Sequence, residues 1–287
     1  MFLAQDKNVS SFEHKIKLFR DYPMTGPEYF FDASKWAFQD LLAGLDHVWE
    51  ILPRIKNYIR DRIHPNLKSL FQQGPFLTRT VVLYQGDFLE KGFTLLPGDA
   101  TKGNFQVSYG GEILMGATVI YGGVTLAGED IFIGEGSVVE SGAFIQGPTL
   151  IGRQTEVRQG AYIRGACLIG DRCVVGHVTE MKNSVMLDGA KAGHFAYIGD
   201  SILGQECNLG AGTKCANLKM VKTPITVKCG QKIYETGLRK FGVVMGDRTE
   251  TGCNAVTSPG TLLGPGCLVA PNVTVKGGCY PPQSVIR

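Results

Sequence analysis

Arg164 and Lys182 are the pair whose spacing points most directly to chemistry. They lie eighteen positions apart, and each follows a large apolar residue of a six-residue pattern. If eighteen residues make one coil, the two stack on the same wall about 5 Å apart, where like charges repel unless an anion lies between them. That geometry suits a phosphate clamp. A solvated basic edge, or pairing with Glu180, fits the spacing equally well. His194 is a candidate general base, because imidazole exchanges a proton near neutral pH, although a lone histidine is more often structural. His177 precedes it by seventeen residues, but a zinc centre of three histidines lacks its third ligand here, since His14, His47 and His64 all fall in a different region. No metal is expected. Asn208 and Asn217 flank Gly-Ala-Gly-Thr. They suit hydrogen bonds to neighbouring corners, or to sugar hydroxyls or an amide.

The elements that must carry these residues come from a repeat. Stepping by six from Met115 gives Tyr121, Ala127, Ile133, Val139, Ile145, Ile151, Val157, Ile163, Ile169, Val175, Met181, Leu187 and Gly193, with apolar character broken only at the last. The following residue is often Gly, as at Gly116, Gly134, Gly152 and Gly170, and four residues after a step sits a small or β-branched one, such as Ser137, Thr155, Cys167 or Cys173. The pattern predicts a parallel β-helix, with the large aliphatic inside, the small residue where two walls crowd, and corner glycines at positive φ. After Gly193 the register is expected to slip by four, resuming at Tyr197, Leu203, Leu209 and Cys215. It breaks over a lysine-rich excursion near 218–241 and returns at Met245, Thr251, Thr257, Leu263, Val269 and Val275.

Residues 1–112 read differently from 113–287. Ser10-x-x-Glu13 matches a capping box ahead of a helix near 11–20. Asp32 is read as the cap of a longer helix whose stripe is Trp36, Leu41, Leu45, Val48, Trp49 and Leu52, and Pro53 opens a second with Ile55, Ile59 and Ile63, stopped by His64-Pro65. Irregular strands, Thr80 to Tyr84 among them, should lead into the first coils. A net charge of +3 argues against nucleic acid or an anionic membrane as partner. No apolar run approaches a membrane span, and the opening residues do not read as a signal peptide. Eight cysteines without a C-x-x-C pair suggest reduced thiols and a cytoplasmic location.

Glu180-Met-Lys-Asn, then Lys191-Ala-Gly-His-Phe-Ala-Tyr-Ile-Gly-Asp200, then Asn208-Leu-Gly-Ala-Gly-Thr213 and Asn217 resemble the acetyltransferase half of the bifunctional N-acetylglucosamine-1-phosphate uridylyltransferase/glucosamine-1-phosphate acetyltransferases. The excursion, ending Thr236-Gly-Leu-Arg-Lys-Phe-Gly242 before Val244-Met-Gly-Asp247, resembles the archaeal-type branch. The resemblance implies a left-handed β-helix, a homotrimer, acetyl-CoA as co-substrate and an amino-sugar 1-phosphate as acceptor. It makes His194 the general base, Arg164 and Lys182 the phosphate ligands, and Tyr197, Asn208 and Asn217 contacts to the substrate. Arg239 and Lys240 meet the CoA phosphates or pin the loop. The match departs from the family in three ways. No nucleotidyltransferase domain fits residues 1–112, Leu-Lys follows Asn217 in place of Tyr-Asp-Gly, and no long tail follows the helix. A separate nucleotidyltransferase is therefore an expected partner. Two other readings stand beside this one: a hexapeptide acyltransferase acting on a nucleotide-linked amino sugar, and a non-catalytic sugar-phosphate-binding or assembly module.

Overall fold

The computed structural model describes residues 23–287; the capping-box helix expected near 11–20 lies outside them. From residue 118 onward the chain winds as a parallel β-helix with three walls, one of nine strands and two of eight, and the antiparallel strands Val81–Tyr84 and Asp87–Leu89 extend the first wall at its end. Three strands serve here as landmarks. Glu180–Lys182 lies on the clamp wall, Ser184–Met186 on the covered wall, and Lys191–His194 on the histidine wall. Coils in the middle pair at eighteen residues, as in Ile145 with Ile163 and Ile151 with Ile169. The stepped residues Ile133 to Met181 are all buried inside the prism.

The first coils differ from expectation. Ile120 and Leu126 point inward and pair with Val139 and Ile145, nineteen residues on. One extra residue in the turn before Ile131 shifts the register, so Tyr121 and Ala127 are displaced from the core and Met115 is 73% exposed. The small buried residues do more than fit. Ser137 Oγ donates to the Gly152 carbonyl at 2.7 Å and accepts from the Thr155 amide at 3.0 Å, and Thr155 repeats this with Gly170 and Cys173. A ladder of hydroxyls therefore satisfies corner groups shut away from water. The glycine after the inward aliphatic also has a different reason from the one expected. At Gly152 φ is not positive; a Cβ there would sit 2.5 Å from the Gly170 carbonyl carbon of the next coil. Close stacking, not handed backbone, requires that glycine.

The slip is also placed differently. Two corners between the clamp and covered walls take five residues in place of six: Met181 to Met186 and Ile198 to Leu203 are the inward pairs. Asn183 and Asp200 make these tight turns at φ 43° and 46°. The coils here therefore pair at seventeen residues, Met181 with Ile198 and Val175 with Ala192. Ala192 and Ile198 point inward where Gly193 and Tyr197 were expected. Leu203, Leu209 and Cys215, and after the excursion Met245 to Val275, lie inside as read. The excursion holds a hairpin, Thr226–Cys229 with Lys232–Glu235.

The covered wall has an apolar outer face. Leu150, Leu168, Val185, Ile202, Val244 and Leu262 point away from the prism, yet they are buried under Phe30, Trp36, Trp49, Ile51, Ile55 and Ile59 and under the excursion's Ile225 and Val227. The one α-helix among the described residues is Ile55–Arg62, following Pro53 as expected. The longer helix does not form. Residues 33–51 instead make three short 3-10 turns, because Gly44 takes φ 66° and the chain is extended at Trp36 and Ala43. Asp32 makes no side-chain cap; its amide donates to Asp247 Oδ2 at 2.8 Å. The cysteines are also not all thiols. Cys229 and Cys279 form a disulfide between the hairpin and the last coil, a pairing fifty residues apart that spacing does not reveal.

Asp247 joins the amino-terminal segment to the prism. Its carboxylate also accepts from the Gln205 amide at 2.8 Å, and its own amide donates to the Phe30 carbonyl. Burial pushes its pKa up to about 7. Between the ordinary carboxylate range and that value the unfolded chain loses this proton first, so stability falls as pH rises through the interval and levels off above it. Denaturant midpoints at pH 4.5 and 7.5 check this: wild type should lose stability relative to Asp247→Asn on going to the higher pH. A constant difference would contradict it.

Candidate functional site

Three successive strands of the clamp wall, Tyr162–Arg164, Glu180–Lys182 and Tyr197–Gly199, place the predicted residues side by side. Both cations have a carboxylate partner. Arg164 Nη1 donates to Glu180 Oε1 at 2.6 Å with both side chains well exposed, the pairing that spacing had left open. That hydrogen bond raises the Arg164 pKa. Lys182 Nζ lies 2.9 Å from Asp200 Oδ2, and Asp200 is only 4% exposed. Asp200 is the hub: its Oδ1 accepts from Asn183 Nδ2 at 2.9 Å, and Asn217 Nδ2 donates to Oδ2, the oxygen that also faces Lys182. Tyr197 Oη reaches across to Asn217 Oδ1 at 3.4 Å. The tyrosine can do so because Gly199 has no side chain; a Cβ there would stand 2.6 Å from the phenol oxygen. Burial raises the Tyr197 pKa, so the hydroxyl stays protonated and available as a donor.

The tight five-residue corners create this cluster. Asn183 and Asp200 each turn the chain alone, and their short side chains fold back over the end of the clamp wall. Asp200 and Asn183 were not assigned a role from sequence, although both belong to the quoted motifs; the missing sixth residue of their hexads was the available signal. The excursion begins after Asn217 and returns beside it, with the Phe241 amide on the Asn217 carbonyl and the Gly242 amide on the Asp200 carbonyl. Arg239 and Lys240 are exposed at that return.

His194 stands past the opposite edge of the clamp wall, at the end of the histidine wall. It ends the strand Lys191–His194, and Phe195, at φ 35°, turns the chain into Tyr197–Gly199. His177 pairs with it one coil earlier, and the rings stack at 5.7 Å and 24°. Beside them Val178 and Phe195 are 63% and 56% exposed at a corner otherwise made by Gly160 and Gly212. His194 aligns with His177 and Lys182 with Gly199, so the corner Phe195-Ala196 and the whole strand Tyr197–Gly199 lie between them along the wall. Asn208 is on the histidine wall next to Lys191 and is not gathered into the Asp200 cluster. Among the described residues no group of three or more His, Cys, Asp or Glu could hold a metal ion. Cys167 and Cys173 are small packing residues, their thiols pushed up to about 12 by burial.

The two cations should respond differently to truncation. The exposed Arg164–Glu180 pair is worth about 0–1 kcal/mol, so Arg164→Ala should leave the denaturant midpoint almost unchanged. Lys182→Ala removes the cation from a buried carboxylate, so it should lose stability. Unfolding of both variants checks this; equal stability losses would show that the two pairs are alike.

The family of GMPPB C-terminal domains matches residues 145–236, which holds the whole Asp200 cluster. The chain is 39% identical over 95 residues to the bifunctional protein GlmU of Methanocaldococcus jannaschii, covering 33% of this chain and 23% of that protein. It is 34% identical over 102 residues to a bifunctional sugar-1-phosphate nucleotidylyltransferase/acetyltransferase of Sulfurisphaera tokodaii, covering 36% and 25%. The chain thus spans about a quarter of the length of these relatives. Among solved structures, a UDP-N-acetylglucosamine acyltransferase of Francisella novicida superposes with TM-score 0.34 at 16% identity, over 55% of this chain and 60% of that one. The C-terminal, β-helical region is accordingly related to the archaeal bifunctional proteins that combine a sugar-1-phosphate nucleotidylyltransferase with an acetyltransferase.

Proposed function

We propose that the protein transfers an acetyl group from acetyl-CoA to the amine of an amino-sugar 1-phosphate, with glucosamine 1-phosphate as the acceptor. The observation that carries this is the Asp200 cluster: Lys182, Tyr197 and Asn217 share one network, and Arg164 stands one coil away with an exchangeable partner. Lys182 and Arg164 hold the phosphate, while Tyr197 and Asn217 orient the sugar. His194 takes a proton from the attacking nitrogen as the N–C bond forms; the C–S bond of the thioester breaks, and CoA leaves as thiolate and is then protonated. Arg239 and Lys240 meet the CoA phosphates. The active unit is a homotrimer in which the clamp of one subunit faces His194 and Asn208 of its neighbour. That arrangement brings base and clamp together across a subunit boundary, and it covers Val178 and Phe195.

The test is direct. The protein is mixed with acetyl-CoA and glucosamine 1-phosphate, free thiol is followed, and the molecular mass is measured by sedimentation. Sugar-dependent thiol release from a trimer is expected. No release, or release from a monomer, would overturn the chemistry or the shared site respectively.

A further inference from the structure

The charge of the prism is not evenly spread. A parallel β-helix sorts its residues along the axis in chain order, so a charge imbalance in sequence becomes a polarity in space. Residues 118–206 hold six Lys and Arg against ten Asp and Glu. Residues 207–287, which make the excursion and the last coils, hold ten against three, with no Asp or Glu after Glu250. Among the described residues, only Arg248 of those ten cations is paired with a carboxylate, at Glu206. The net charge of +3 describes the chain as a whole and hides a strongly basic end.

The excursion adds apolar surface to this charge. Leu218, Met220 and Val221 are exposed, Met220 fully, and they are interleaved with Lys219 and Lys222. Lys219 Nζ donates to the Pro224 carbonyl at 3.0 Å and closes this stretch into a projecting tip. The hairpin strand Thr226–Cys229 passes Gly260 and then Gly278, so it runs along the axis toward the last coil, where Cys229 is bonded to Cys279. Its outer face carries the exposed pair Lys228 and Ile233, and Lys276 is exposed two residues before Gly278. The hairpin packs on the covered wall, not on the clamp and histidine walls that the proposed trimer brings together, so it stays open in that assembly. CoA takes Arg239 and Lys240 in the reading above and leaves the lysines of tip and hairpin unused. The exposed side chains between those lysines are aliphatic and offer no face for stacking bases. Cations interleaved with aliphatics match a lipid surface, where lysines meet anionic headgroups and the apolar tip enters the acyl boundary.

We propose that the basic end of the prism docks on the surface of an anionic lipid bilayer, with Lys219, Lys222 and Lys228 meeting the headgroups and Met220 and Val221 inserted between them.

Co-sedimentation of the full chain with phosphatidylcholine vesicles, with and without phosphatidylglycerol, tests it. Wild type should bind the anionic vesicles and not the neutral ones, and added salt should release it. Lys222→Ala/Lys228→Ala should weaken binding roughly twenty-fold, at about five-fold for each lysine. Met220→Asp/Val221→Asp should abolish it. Both variants should keep the wild-type denaturant midpoint, because these side chains project from the surface. No binding to anionic vesicles, or equal binding to both kinds, overturns the proposal. Binding that is unchanged in Met220→Asp/Val221→Asp also overturns it, because the apolar tip would then play no part. So does a fall in sedimentation mass in that variant without lipid, since the tip would then be seated on a second copy of the chain. The assay needs neither acetyl donor nor acceptor, so its outcome is separate from that of the acetyl-transfer reading.

Discussion

His194→Ala is expected to lower kcat for acetyl transfer by 10²–10⁴-fold, the range for loss of a general base. His194 is exposed at the edge of its wall and makes no contact with the Asp200 cluster of its own chain. Sugar-phosphate affinity and oligomer mass should therefore stay at wild-type values. His177 provides the control. It stacks on His194 from the adjacent coil, so His177→Ala should have a much smaller effect if its role is only to support the ring. Near-wild-type turnover in His194→Ala would remove this histidine from the mechanism.

Asp200→Ala should have the largest effect on the clamp. It withdraws the acceptor from Lys182, Asn183 and Asn217 at once, and the Lys182 side chain is itself only 19% exposed. Breaking a buried ion pair by removing one partner costs about 3–5 kcal/mol, because the other charge remains buried and unpaired. The denaturant midpoint should fall accordingly, and sugar-phosphate binding should be lost even at temperatures where the variant stays folded. Asp200→Asn keeps the shape and one acceptor oxygen, so it should be less destabilised but still bind poorly. A stable Asp200→Ala with normal affinity would mean that the cluster does not position the clamp.

Much of this site was legible because hexads place residues predictably. From Ile133 to Met181 each large aliphatic falls inside, and that register alone puts Arg164 and Lys182 on one wall. The pattern is least legible where the hexad changes length. At Ala192-Gly193 neither residue is bulky enough to reveal which one points inward, so the slip was placed there and not at Asn183 and Asp200. Those two turns use non-glycine residues at positive φ, and a search for corner glycines passes over them. Before Ile131 a single extra residue moved Met115 from core to surface. The amino-terminal stripe from Trp36 to Leu52 was correctly apolar and buried, but Gly44 and the flat face of Leu150, Leu168 and Ile202 made it a string of short turns and not a helix. The apolar residue preceding every third inward position was the sign that one wall would be covered. The Cys229–Cys279 bond and the Asp247 contacts with Phe30 and Asp32 join segments far apart in sequence, which no local pattern encodes.

The central claim is that Lys182, Arg164 and the Asp200 cluster read the phosphate of an amino sugar at the site where its amine is acetylated. Thiol release from acetyl-CoA, measured as kcat/KM for glucosamine 1-phosphate and for glucosamine without phosphate, tests this most directly. Two charge-assisted contacts of about 1.5–3 kcal/mol each predict a preference of at least a hundred-fold for the phosphorylated sugar, reduced by about ten- to a hundred-fold in Lys182→Ala, where Arg164 alone remains. Equal rates for the two sugars in wild type, or an undiminished preference in Lys182→Ala, would contradict the account.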